Sequence, residues 1–226
     1  MKRYLPLLVA LLGFLILQPI AVALSGANIP LNILLYVVLA SSIYAVGPAK
    51  SLVAVAAAMA LAIVAIRLLN DNSLNVKLLL LSHGLSFTLM VLVTATIVIR
   101  VFRAREITAE IIVGAVCVYL IIGAAWAFLY FFLQIAAPGS MMALPIASHG
   151  SSIPPLLEEY RFWEMLYFSM SAISTMGFLS TEPLTPLARQ LAVVEAIVGQ
   201  LYIAVLIARI VALSTAGAMK SGPTAE

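Results

Sequence analysis

Charge is scarce in this chain. Asp, Glu, Lys and Arg make up 9% of its 226 residues, against about 25% in soluble domains. A water-soluble fold of this size cannot cover its surface with so few ionised groups, so composition alone places the chain in a membrane. Cysteine is scarcer still: Cys117 stands alone inside an apolar stretch. That excludes an intrachain disulfide and a cysteine-built metal cluster, and it assigns the thiol to packing. The short apolar–polar alternation of membrane β-barrels is also missing. No nucleophile–base pair, metal-ligand spacing or phosphate-cradling loop can be found, so neither an enzyme nor a bound cofactor is expected. The net charge of +3 is not a nucleic-acid footprint, because the basic residues stand at the ends of apolar blocks, where they set orientation.

What is present is long apolar blocks, at 5–24, 31–46, 51–69, 78–99, about 107–135, and 190–213. About 20 residues cross the hydrocarbon core of a bilayer. The expected fold is an all-α membrane protein with six transmembrane helices. The stretch 161–174 is amphipathic and too short to span, and it reads as a re-entrant helix between helices five and six. Residues 1–27 have the basic start and apolar core of a signal peptide. That core runs for about 20 residues, longer than the 7–15 of a signal sequence, so it is taken as a retained first helix. With the N-terminus inside, Lys2, Arg3, Lys50, Arg100, Arg103, Arg105, Arg209 and Lys220 fall at cytoplasmic ends. Arg67, Lys77, Arg161 and Arg189 fall outside. This bias predicts a multi-pass protein of the cell membrane with both termini cytoplasmic. No soluble sensing domain is expected after residue 213.

The informative stretch is 162–213: a short helix, a small-residue loop, a Pro-punctuated turn and a long helix. Irregular backbone at membrane depth is tolerated where it is buried or lines a water-filled path, and carbonyls lining such a path are cation ligands. The short helix would point its partially negative C-terminus at the same place.

Trp163-Glu164-Met165-Leu166-Tyr167-Phe168-Ser169, followed by Ile173-Ser174-Thr175-Met176-Gly177-Phe178, resembles the pore helix and selectivity filter of tetrameric potassium channels. The family filter reads Thr-Val-Gly-Tyr-Gly-Asp. Pro183-Leu184-Thr185-Pro186-Leu187-Ala188-Arg189 is similar to the family's connection to its inner helix. The resemblance covers about 110 residues, from the fifth block onward. It implies a four-helix membrane domain over 1–105 and a pore domain over 106–226. It also implies assembly with three further copies in membrane lipid, and potassium as permeant ligand. The filter would be Thr175, Met176, Gly177, Phe178 and Leu179, with Thr175 and Gly177 holding potassium by backbone or hydroxyl oxygen. Glu164 and Glu195 would support it, and Gly199 stands at the family's gating hinge. Gly199 is equally readable as a close helix contact. Glu195 is expected to brace the filter from behind through hydrogen bonds, because a carboxyl at that depth must be paired or neutral.

Two positions depart from the pattern. Leu179 stands where the family has its second filter glycine, and Ser180 where it has aspartate. Glycine adopts positive φ freely, whereas leucine there costs about 1–2 kcal/mol. The outermost carbonyl ring is therefore expected to be distorted, and potassium-over-sodium choice weakened. A single-glycine filter is also similar to potassium-uptake transporters that repeat the pore unit four times in one chain, whereas this chain has it once.

The fourth block lacks the repeated arginines of a voltage sensor. Arg100 and Arg103 stand only at its end, so steep voltage dependence is not expected. His83, inside that block, reads as a neutral histidine donating to a neighbour, and His149 as an ordinary loop residue. Glu158, Glu159, Glu164 and Glu182 would gather at the outer mouth and raise local cation concentration, or simply solvate a loop. Two other functions compete with a cation channel. One is a non-conducting channel-like scaffold or regulatory subunit, kept open by Leu179. The other is a secondary transporter, which usually shows internal repeats.

Overall fold

A computed structural model describes residues 3–25, 29–46, 50–70, 76–143, 157–177 and 181–220. Helix dominates them. The chain forms α1 (Leu5–Ser25), α2 (Ile29–Val46), α3 (Lys50–Asn70), α4 (Val76–Arg103), α5 (Ala109–Ala136), α6 (Leu157–Ile173) and α7 (Pro186–Lys220). Each expected apolar block has its helix, and 161–174 becomes the shorter α6. Among the described residues, four helical stretches are long and apolar enough to cross a membrane: Lys50–Leu69, Val76–Arg103, Ala109–Ala136 and Pro186–Thr215. Shorter apolar segments lie within α1 and α2. The protein is thus a helical, membrane-embedded one.

Local chemistry fixes the helix starts. Thr108 has extended backbone, φ −113° and ψ 156°, and its hydroxyl accepts the Ile111 N–H at 3.3 Å to cap α5. Thr185 does the same for α7, accepting the Ala188 N–H at 3.3 Å. Pro186 follows as the first helical residue, where its missing N–H leaves no bond unmade.

The tightest seam joins α4 to α5. Ser82, His83, Ser86 and Thr96 are buried along α4, as are Leu89, Met90, Val93 and Ile97. Their hydroxyls turn back to carbonyls of their own helix: Ser82 to Leu79, Ser86 to Ser82, Thr96 to Leu92. These polar side chains are satisfied in an apolar seam without a partner helix. His83 does likewise, its Nδ1–H donating to the Leu79 carbonyl at 2.9 Å. Its ring packs on Phe131 and Phe128. The donation goes to its own helix rather than to a neighbour. α1 packs on α2 and α5, α3 on α4, and α6 and α7 on α5.

β1 (Met141–Ala143) pairs antiparallel with β2 (Thr181–Pro183), Met142 opposite Glu182. Three-residue strands are too short to leave a periodic signature. The ladder ties the chain leaving α5 to the chain entering α7.

Candidate functional site

α6 is the element on which the site is hung. One face carries Phe162, Met165, Leu166, Phe168 and Ser169, all buried. Phe168 meets Tyr130 of α5 edge-on at 5.0 Å between ring centroids, and Trp163 meets Phe14 of α1 at 4.9 Å. Such tilted aromatic pairs add to area burial and hold the helix between two neighbours.

Three polar anchors then fix its height. Ser169 bonds the Gly123 carbonyl of α5 at 2.6 Å and Glu195 Oε1 of α7. Tyr130 donates to Glu195 Oε2 at 2.7 Å. Glu195 is fully buried, so one carboxyl joins α5, α6 and α7. At the end of α6, Tyr119 of α5 donates to the Ile173 carbonyl at 3.0 Å, satisfying an acceptor the helix terminus leaves open. Gly199 lies directly behind the same residue. A Cβ there would stand 2.4 Å from Ile173 Cγ1 and 2.9 Å from its carbonyl oxygen.

The chain leaves α6 through a Schellman closure. The Met176 N–H bonds the Ser171 carbonyl at 3.0 Å and the Thr175 N–H the Ala172 carbonyl at 3.1 Å. Thr175 takes the left-handed position, φ +57°, which glycine usually fills. A β-branched residue there is strained by about 1–2 kcal/mol. Gly177 is also left-handed, φ +73°, while Met176 between them is not. Handedness therefore alternates over three consecutive residues, the pattern that turns successive peptide carbonyls toward one side. The Ser171, Ala172 and Ile173 carbonyls are occupied by the cap and Tyr119. No described donor is bonded to the carbonyls of Thr175, Met176 and Gly177. All three residues are exposed, Met176 to 63%.

The other end of the loop is clasped. Thr181 of β2 donates to buried Glu164 of α6 at 3.3 Å. Arg189 Nε donates to the Pro183 carbonyl at 3.0 Å. The Leu184 N–H reaches the Ser140 carbonyl at 2.9 Å.

Thr175, Met176 and Gly177 thus form one exposed stretch, Gly199 sits behind its start, Glu195 meets α6 at Ser169, one turn before the helix ends, and Glu164 holds Thr181 where the chain re-enters β2. Phe178, Leu179, Ser180 and His149 lie outside the described residues. Among the described residues no group of three or more His, Cys, Asp or Glu side chains is placed to hold a metal ion. Ser169 stands in the pore-helix string without an assigned role, and Tyr119 and Tyr130 escape the sequence reading. The available signal was a hydroxyl-bearing aromatic in an apolar helix, which must find a partner when buried.

Residues 106–215 match a family model described as an ion channel. No curated protein and no solved structure gives a match. The matched stretch contains α5, α6 and most of α7, and none of α1 to α4. It supports an ion-channel family for this part of the chain, and a transport role rather than an enzymatic one.

Proposed function

We propose that four copies of this chain assemble around one axis into a cation-conducting pore. Potassium is the favoured ion, with a weaker preference over sodium than a two-glycine filter gives. The observation that carries this reading is the alternating backbone of Thr175, Met176 and Gly177, exposed at the end of a helix held from three sides. Brought to a shared axis, the Thr175 and Gly177 oxygens replace part of a cation's water shell.

The surface of α7 fits the same reading. Between residues 191 and 215 only Glu195 and Gly199 are buried, while Val194, Ile197, Leu201 and Val205 are exposed. Gln200 is exposed in the middle of this apolar helix, and a polar side chain at membrane depth is costly against lipid. Partner copies and a water-filled lumen would cover these faces. Six helices per copy would cross the cell membrane, with both termini in the cytoplasm. Residues 1–105 would form a peripheral four-helix domain and 106–226 the pore, with α6 and the loop behind it as the re-entrant element.

Reconstitution into liposomes tests the reading. Potassium and sodium should both permeate, potassium faster by no more than about tenfold, which corresponds to ~1.4 kcal/mol. Absence of flux for either ion would reject conduction. A much stronger potassium preference would reject the weakened filter.

A further inference from the structure

A pocket of about 520 Å³ opens at the end of α4, far along the chain from the loop after α6. Its walls are of two kinds. Leu52 of α3, Ile99 of α4 and Ile111 of α5 supply apolar surface, and Arg100 and Arg103 supply charge.

The arginines differ in what they already do. Arg100 donates to the Ala45 and Val46 carbonyls, closing the end of α2, whose last carbonyls lack helical partners. Arg103 is exposed, and no hydrogen bond or ion pair engages its guanidinium among the described residues. Lys50 begins α3 two residues before Leu52, and Arg105 and Arg209 stand at the same end. The acids of this region are Glu106 and Glu110, and among the described residues neither pairs with Arg100 or Arg103. Among the described residues, a cationic, half-apolar pocket at the end of a membrane-crossing helix is therefore left without an anionic partner.

We propose that this pocket binds the phosphate headgroup of an anionic glycerophospholipid. Arg103 is its principal ligand, Arg100 lies beside it, and the acyl chains run along Leu52, Ile99 and Ile111. Guanidinium meets phosphate in a forked, charge-assisted geometry, and basic pockets between membrane helices suit such headgroups. A free phosphate would use the arginines but leave the apolar wall uncovered. Occupancy has a route to α7: Ala104, which lines the pocket, gives its carbonyl to Arg209 of α7 at 2.7 Å. Arg209 also lies over the Phe102 ring, 5.6 Å from its centroid. Binding itself does not depend on whether the protein conducts.

The test uses the full chain in detergent, with bound lipid read by native mass spectrometry. Phosphatidylglycerol, phosphatidylcholine and inorganic phosphate serve as probes. Phosphatidylglycerol should be retained over phosphatidylcholine, and Arg103→Gln should weaken that retention about fivefold, from roughly 1 kcal/mol per basic residue near a membrane surface. Arg103 bonds to no other residue among the described ones, so this variant should fold. Arg105→Gln, one step outside the pocket, should change retention by less than about twofold. Equal loss in both variants would overturn the site in favour of a diffuse positive field. Unchanged retention in Arg103→Gln, or inorganic phosphate displacing the lipid, would also overturn it.

Discussion

Gly199→Ala is expected to lower potassium flux by more than about tenfold. The added Cβ would stand 2.4 Å from Ile173 Cγ1 and 2.9 Å from the Ile173 carbonyl oxygen. Ile173 is fully buried, so its side chain has no space to swing into, and overpacking of a filled site costs about 1–3 kcal/mol. The cheapest relief moves α7 away from the end of α6. That also disturbs the carbonyl held by Tyr119, one residue before the turn that sets up Thr175. Gly199 thus has a close-contact role on geometry alone, whatever bending it permits during gating. The double variant Gly199→Ala with Ile173→Ala separates the two roles. It should recover part of the flux if steric contact is the cause, because Cγ1 is gone. No recovery, with a normal assembly size by gel filtration, would favour the hinge. Initial rates of potassium efflux from liposomes provide the readout.

Glu195→Ala is the second large effect, and Glu195→Gln is its control. The alanine leaves the buried Tyr130 hydroxyl without its acceptor, at about 1–3 kcal/mol, and opens a void among three helices. Together these should lower stability by about 3–4 kcal/mol, or roughly 6–16 °C in the thermal midpoint at ~2–4 °C per kcal/mol. Glutamine preserves the node. Its carbonyl accepts from Tyr130, and its amide donates to Ser169 Oγ. The single Ser169 proton then serves Gly123, whose carbonyl it already approaches at 2.6 Å. Fluorescence-detected gel filtration after heating should place Glu195→Gln within about 1 kcal/mol of the parent protein. If glutamine proves as damaging as alanine, a charged carboxylate is required, and the hydrogen-bond account of this node fails.

Much of the architecture was legible in the sequence because lipid imposes a simple rule: twenty apolar residues in a row make a helix. The order of helices, the break at Pro183 to Pro186 and the short α6 all follow from it. The start of α6 at Leu157 rather than residue 161 was harder to read, since Glu158 and Glu159 interrupt the apolar pattern. The site was legible in part. Thr175, Met176 and Gly177 stand out only through the resemblance of their string to a potassium-channel filter, and Glu195 through its depth in an apolar helix. What holds them was not visible. Tyr119 and Tyr130 reach α6 and α7 from α5, contacts separated by 54 and 65 positions. No local spacing encodes such pairs. The β1–β2 clasp escaped for a different reason, its strands being three residues each. The Gly199 contact was equally invisible. A glycine in a helix signals close approach or bending, and only the position of Ile173 shows the close approach.

In the proposed pore, the carbonyls of Thr175 and Gly177 from several copies converge on one axis. A cryo-electron-microscopy map of the purified full chain in potassium would show whether they do. Four copies should surround the axis, with density on it beside Gly177. An assembly without that axis, or a sealed centre with these oxygens turned into protein, would contradict it.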